Sequence, residues 1–137
     1  MMRNFFIVFC VLSLAATCQK QKTTTEDNPC EADIICTREF RVVKLQILEK
    51  DGTPVQLDSY YTRFEESKVT IDRKFSQVEE GFYPVATDAE MESIEFEGIK
   101  VTFIGVKSGK KVVKHDLILG KDCCHISLLK GEEKITL

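Results

Sequence analysis

The chain has 137 residues, of which 43% are apolar and 30% charged, and this composition is typical of one soluble globular domain rather than of a disordered or membrane-embedded chain. The formal net charge is −3, from 19 basic and 22 acidic residues. No segment combines clustered basic residues with interleaved aromatic ones, so nucleic acid is not expected as a partner.

Residues 1–17 have the three-part layout of a secretory signal peptide. A short polar start containing Arg3 is followed by the apolar run Phe5–Leu12 and then by small residues. The apolar stretch is shorter than the roughly 20 residues that a transmembrane helix needs. The pattern therefore predicts a segment that is cleaved during export.

Small residues directly precede Cys18. The run Leu14-Ala15-Ala16-Thr17-Cys18 resembles the bacterial lipobox, whose cysteine receives the lipid and becomes the new N-terminus. Two positions depart from the usual pattern, because Leu14 stands one place early and Thr17 fills a position usually held by Gly, Ala or Ser. The resemblance implies a lipoprotein anchored through acyl chains on Cys18. Ordinary secretion, with cleavage after Ala15 or Thr17, is the alternative.

Residues 18–29 are predicted to form a flexible tether, because they contain no apolar side chain able to anchor a core. Gln19 is not the acidic residue that commonly marks inner-membrane retention in the lipoproteins that this chain resembles. We therefore expect an exported protein of the bacterial cell envelope, held at the outer membrane. With Cys10 removed and Cys18 acylated, an even set of four cysteines remains for an oxidising compartment.

Residues 30–137 are predicted to form one mainly β domain. From Arg38 onward, apolar residues recur at every second position in short runs separated by glycine and charged clusters. The spacing predicts an antiparallel β-sandwich of seven or eight strands, immunoglobulin-like or prealbumin-like. At most one short helical turn is expected, at the capping box Thr87–Glu90.

Three local features of this domain are also predicted. A change of alternation places a β-bulge at Val42-Val43. The Asp51-Gly52 pair predicts a type I′ hairpin leading into a strand over residues 53–57. Pro84 has no amide hydrogen, so its strand is expected at the edge or end of a sheet.

The strand pattern over residues 38–137 resembles the transthyretin-like or carboxypeptidase regulatory-like sandwiches of bacterial surface proteins. This resemblance implies an accessory module, and a sandwich fold by itself implies no particular function.

The domain's cysteines lie in two groups, one near its start and one in the run Asp122-Cys123-Cys124-His125. Neighbouring residues of a strand face opposite ways, so if Ile126 faces the core, Cys124 does too, while Cys123 and His125 face outward. The predicted disulfides are Cys36–Cys124 and Cys30–Cys123, and the opposite pairing stays open.

A metal or thiol-redox centre is the alternative for these residues. Cysteine and histidine are the ligand types that zinc prefers, but zinc sites usually take pairs two to four residues apart, whereas Cys123 and Cys124 are adjacent. We expect no cofactor. The alternative metal set is Cys36, Cys123, Cys124 and His125.

The two histidines show no catalytic spacing. His115 shares the alternation of Val113 and Leu117, which favours a packed, hydrogen-bonded side chain, and His125 is expected at the surface. We therefore do not predict an enzyme. A small hydrolase remains possible if His, Asp and hydroxyl side chains converge in space.

The sequence as a whole favours a membrane-anchored, non-catalytic binding or assembly module that presents loops or a sheet edge to an envelope protein or a glycan. Aromatic side chains expected at its surface are the candidate contact residues, and packing in the core is their alternative role. These aromatic residues are Tyr60, Tyr61, Phe82 and Tyr83.

Overall fold

The computed structural model describes residues 29–30, 33–73 and 79–137. The predicted signal peptide, the lipidation site at Cys18 and nearly all of the predicted tether lie outside the described residues. Within them, strands form two sheets and the only helix is a short 3₁₀ helix, Asp88–Ser93, which confirms the mainly β, two-sheet prediction.

Eight strands are present in the described residues, which agrees with the prediction of seven or eight. In chain order they are β1 (Val42–Leu48), β2 (Ser59–Phe64), β3 (Thr70–Arg73), β4 (Phe82–Thr87), β5 (Ile99–Lys107), β6 (Lys110–Lys121), β7 (Ile126–Lys130) and β8 (Lys134–Thr136).

One sheet has the strand order β4-β1-β8 and the other the order β3-β2-β5-β6-β7. Neighbouring strands pair antiparallel, as predicted, except for β1 and β8, which are parallel. The chain crosses from β7 in the five-stranded sheet to β8 in the other one, and such a crossover is what a parallel pair requires.

The core lies between the two sheets and is filled by alternate residues of each strand, because successive side chains of a strand point to opposite faces. In β2, Tyr60, Thr62 and Phe64 are buried, and in β1 Leu45 and Ile47 are fully buried. Burial of one such large apolar side chain stabilises the fold by about 1.5–3 kcal/mol.

The turn at Asp51-Gly52 differs from the prediction. Gly52 has a φ of +87°, but among the described non-glycine residues only Lys68 and Ser108 have positive φ, so the turn is not type I′. The chain does reverse, since the Glu49 amide donates to the Thr53 carbonyl at 2.8 Å. The predicted strand over residues 53–57 is reduced to one bridge, Leu48 with Pro54, because proline has no amide hydrogen to donate.

Positive φ at two successive positions occurs instead between β5 and β6. Ser108 has a φ of +53° and Gly109 of +72°, and this backbone joins the two longest strands in a two-residue hairpin.

The other local predictions fare better. The register shift in β1 falls between Val43 and Lys44, one residue later than predicted. Pro84 lies in β4, an edge strand, as expected. The capping box at Thr87 and Glu90 is present and begins the 3₁₀ helix.

The two ends of the sandwich are built from different parts of the chain. The stapled end comprises Cys30, the segment 33–41, the start of the 3₁₀ helix and the turn 121–125. The distal end comprises the loop 49–58, residues 79–81, the hairpin turn 107–110 and Leu137. The antiparallel registers place these two sets at opposite ends of the strands.

Candidate functional site

Two disulfides hold the start of the domain against the turn between β6 and β7. Cys30 is bonded to Cys123, with Cα atoms 5.5 Å apart, and Cys36 to Cys124, with Cα atoms 5.3 Å apart. The predicted pairing is therefore confirmed. The paired residues are 93 and 88 positions apart in sequence, so each bond closes most of the described chain into a loop.

The turn that carries Cys123 and Cys124 is organised by Asp122. One carboxylate oxygen of Asp122 accepts hydrogen bonds from the amides of Cys124 and His125, both at 2.7 Å. These two amides hold the pKa of the Asp122 carboxyl below its usual value. The Asp122 amide in turn donates to the His125 carbonyl, which closes the turn.

His125 is not at the surface, so that prediction is wrong. Its side chain is only 11% exposed. Nδ1 lies 2.8 Å from Oδ2 of Asp88, and Nε2 lies 3.1 Å from Oγ1 of Thr37. The inward and outward alternation assumed for residues 123–125 fails because these residues form a turn and not a strand.

Asp88 connects three parts of the chain. Its carboxylate accepts hydrogen bonds from the Arg41 amide at 2.7 Å and the Ile126 amide at 2.9 Å, in addition to His125. Burial raises the pKa of Asp88, but the amides of Arg41 and Ile126 and the imidazole of His125 outweigh it, so the pKa lies below its usual value. The segment before β1, the start of the 3₁₀ helix and the start of β7 thus meet at one carboxylate.

The residues Thr37, Asp88 and His125 form a unit that we call the His125 clasp. Its order of carboxylate, imidazole and hydroxyl is also the order that activates a hydroxyl nucleophile. Acyl transfer further requires free donors for the developing oxyanion. Four backbone amides of this region are committed to carboxylates: those of Cys124 and His125 to Asp122, and those of Arg41 and Ile126 to Asp88.

His115 is placed as predicted. It is half-buried in β6, and Nε2 lies 3.0 Å from the carbonyl oxygen of Glu132, in the connection between β7 and β8. It therefore holds β6 to the connection between β7 and β8 and does not belong to the His125 clasp.

The aromatic contact residues must be revised. Tyr60 is 2% exposed and Tyr83 is 4% exposed, so the predicted surface role of both is wrong. Their rings pack together with Phe103 at centroid distances of 5.1 Å (Tyr60 to Tyr83) and 5.3 Å (Tyr60 to Phe103). Tyr61 and Phe82 are half-buried.

The hydroxyl of Tyr83 has a structural task. It donates to the Val55 carbonyl at 2.6 Å and accepts from the Leu57 amide at 2.9 Å, which fixes the loop after the Asp51 turn. Burial raises the pKa of this phenol.

The alternative metal set is not assembled in the residues that the structure describes. No group of three or more His, Cys, Asp or Glu side chains there is placed to hold a metal ion. The sulfurs of Cys36, Cys123 and Cys124 are all in disulfides, and zinc binds the thiolate form of cysteine.

Two features of the stapled end were missed in the sequence. Thr87 and Glu90 mark Asp88 as a residue at the start of a helix, but nothing marks its pairing with His125, which lies 37 residues further on. No sequence pattern identifies Ile35 and Phe40 as surface residues, although they are 93% and 62% exposed. The missing strand alternation over residues 30–37 is the one signal that pointed to an unpaired segment.

In the comparisons with known proteins, no protein-family model, curated protein or solved structure matches the chain. The disulfides are typical of an exported protein in an oxidising environment. Across residues 29–30, 33–73 and 79–137, no helix has the length and apolar character to span a membrane.

Proposed function

We propose that the chain is a non-catalytic binding or assembly module of the bacterial cell envelope, anchored to the outer membrane through acyl chains on Cys18. Its distal end, or a neighbouring sheet edge, contacts a protein or glycan partner. The observation that carries this proposal is that the chain enters the described domain at the stapled end, where Cys30 is fixed to Cys123. An anchor preceding Cys30 holds that end towards the membrane and leaves the distal end facing away.

The distal end is a set of loops that are bonded to one another. The Asp58 amide donates to the Val106 carbonyl at 2.8 Å, and the Asp58 carboxylate accepts from the Ser108 amide. An ion pair of 3.6 Å joins Lys107 to Glu49. Loops held in this way lose little conformational entropy on binding, which favours recognition by a preformed surface.

The surface chemistry of this end suits a polar partner. Lys50, Asp51 and Lys110 are exposed there, so both signs of charge are present within one set of loops. A mixed surface of this kind provides hydrogen-bond donors and acceptors for a protein or a glycan without the basic excess that a nucleic acid requires.

A structural role of the His125 clasp is supported by its hydrogen bonds. Every polar atom of its carboxylate and imidazole faces a donor or acceptor of the protein itself. Groups satisfied in this way stabilise the fold.

The alternative function is a metal or thiol-redox protein centred on Cys123, Cys124 and His125. It requires reduced sulfurs in the native protein. Thiol titration of the denatured, unreduced chain together with elemental analysis distinguishes the two functions, since the proposed module has neither free thiols nor bound metal. A stoichiometric metal or a pair of titratable thiols would favour the alternative.

The binding proposal is tested by site-specific photo-crosslinking of the anchored full chain in cells. A benzophenone side chain is placed at Lys50 or Ser108, which are exposed at the distal end, and at Glu95, which is exposed near the stapled end. We expect the same covalent adduct from Lys50 and Ser108 and no such adduct from Glu95. Adducts from all three positions alike, or from none, would contradict a distal binding surface.

A further inference from the structure

The exposed large apolar side chains of the described residues are concentrated in one segment. Three of the six belong to residues 34–40, where Ile34 is 49%, Ile35 93% and Phe40 62% exposed. Single exposed apolar residues are common on soluble proteins, but three within seven consecutive residues make this segment a candidate interaction surface. We call residues 34–40 the apolar segment.

The apolar segment is held in place while its hydrophobic side chains face solvent. Cys36, in the middle of the segment, is bonded to Cys124, and Thr37 is hydrogen-bonded to His125. Just past the segment, the Arg41 amide is bound by Asp88. A fixed backbone that exposes Ile35 almost completely presents these side chains instead of folding them away.

The chain before the domain determines what lies beside this segment. Residues 19–29 separate Cys18 from Cys30, and even fully extended they span no more than about 40 Å. A lipid on Cys18 therefore keeps Cys30, and the apolar segment that follows it, within about 40 Å of the bilayer surface.

The charged residues in and next to the apolar segment cancel one another, which suits a lipid surface without net charge. Asp33 and Glu39 are balanced by Arg38 and Arg41, so residues 33–41 have no net charge with which to attract a polyanion. Apolar side chains flanked by balanced charges suit the boundary between lipid headgroups and acyl chains.

We propose that Ile35 and Phe40 insert into the headgroup and acyl boundary of the membrane that holds the anchor. This inference rests on the proposed lipid anchoring and adds to it a second contact, which fixes the orientation of the sandwich. With the stapled end seated on the bilayer, the distal end points away from the membrane at a defined distance.

The test uses the fact that the chain has no tryptophan. The mature, lipidated full chain carrying Ile35→Trp is reconstituted into phosphatidylcholine vesicles with bromine on the acyl chains, which quenches indoles at the depth of the bromine. Val112→Trp, at a 38% exposed position near the distal end, is the matched control. We expect strong quenching for Ile35→Trp and none for Val112→Trp.

Equal quenching of both variants, or of neither, would overturn the inference. So would an indole of Ile35→Trp that is shielded from water but not quenched by bromine, together with dimers on chemical crosslinking, because the apolar segment would then bind a second copy of the chain.

A second measurement separates this inference from the anchoring on which it rests. In the mature chain that begins at residue 18 and carries Cys18→Ala, the additional change Ile35→Asp is expected to weaken binding to phosphatidylcholine vesicles about tenfold. Val112→Asp is expected to leave binding unchanged, and moderate salt is expected to have little effect. The intact mass of the natural protein reports acylation by itself, so a mass without the lipid contradicts the anchor. If the Ile35→Asp variant binds vesicles as well as the same chain without this change, the result contradicts the apolar contact.

Discussion

The Asp88 carboxylate is a hydrogen-bonding centre of the stapled end. It receives two backbone amides and the His125 imidazole, with distances between 2.7 and 2.9 Å. Hydrogen bonds to a charged group contribute more than neutral ones, and a buried partner left unpaired is costly. A single carboxylate therefore joins segments that are distant in sequence.

Asp88→Asn is expected to destabilise the fold by about 2 kcal/mol at pH 7, because an amide nitrogen replaces one accepting oxygen and the charge is lost. The folded-state pKa of Asp88 lies below that of an unfolded aspartate, about 3.9. The stabilisation is thus present above pH 4 and lost as the pH falls through the folded-state pKa.

Urea unfolding of the protein and of Asp88→Asn between pH 7 and pH 2.5 checks this expectation, and the difference between them should shrink below about pH 4. Asp72→Asn, at an exposed position of β3, is the control and should change stability by less than about 0.5 kcal/mol. A difference that stays constant over this pH range would show that Asp88 acts through its shape and not its charge.

Tyr83→Phe tests the corrected role of this residue. Without the hydroxyl, the Val55 carbonyl and the Leu57 amide lose a buried partner, which is expected to cost about 2 kcal/mol. Denaturant unfolding measures the loss, and hydrogen exchange at the Leu57 amide should become faster. Tyr61→Phe, at a half-buried position in β2, should cost less. Unchanged exchange at Leu57 would contradict the role of the phenol in fixing the loop.

At the level of elements, the two disulfides act together. Either bond alone closes a loop of about 90 residues, which stabilises by about 4.5 kcal/mol in the chain-entropy view. Once one bond exists, the other closes a ring of only about eight residues and adds about 2.5 kcal/mol. The two contributions are therefore not independent.

Removal of one bond, by Cys30→Ser with Cys123→Ser, is expected to cost about 2.5 kcal/mol. Removal of the other, by Cys36→Ser with Cys124→Ser, should cost about the same. Removal of both should cost about 7 kcal/mol, which is more than the sum of the two separate losses. Urea unfolding under oxidising conditions measures all three variants. A double loss equal to the sum of the single losses would contradict the shared loop.

The strands were predictable from sequence because alternation reports burial directly. Tyr60, Thr62 and Phe64 alternate with polar residues, and all three are buried in β2. The same alternation already contradicted the surface role of Tyr60. Pro84 identified an edge strand because proline cannot donate to a neighbour on both sides.

The elements that escaped prediction depend on partners that are distant in sequence. Residues 53–57 read as a strand, but Pro54 cannot extend the ladder and the Leu57 amide is bound by Tyr83. Strand alternation predicts a surface position for His125, because no local sequence pattern identifies the turn formed around Asp122. The pairing of β8 with β1 is parallel and follows a crossover between sheets, which no local pattern announces.

At the scale of the whole molecule, the proposed function depends on how the domain is attached to the membrane. The disulfides and the composition are consistent with an exported protein, and the chain reaches the domain at the end where the disulfides lie. The lipobox resemblance makes Cys18 the expected anchor.

Cys18→Ser is expected to abolish acylation and the processing that follows it, because it removes the thiol on which the lipid is proposed to be carried, so the variant should keep its leader and carry no lipid. Cys10→Ser, in the predicted leader, is the matched control and should leave the protein with the membrane. Fractionation and intact-mass measurement check both. A Cys18→Ser variant that is processed like the unchanged protein, with a mass that differs only by the substitution, would show that Cys18 carries no lipid.

The position of the Cys30–Cys123 disulfide also affects how the fold responds to force. A pull on the tether reaches the fold at Cys30 and passes through a covalent bond into Cys123, between the ends of β6 and β7. The strand next in sequence, β1, is the central strand of the three-stranded sheet and would otherwise be the first to peel away. Tension applied to the chain ahead of Cys30 therefore enters the five-stranded sheet first, through the disulfide, before it can reach the start of β1.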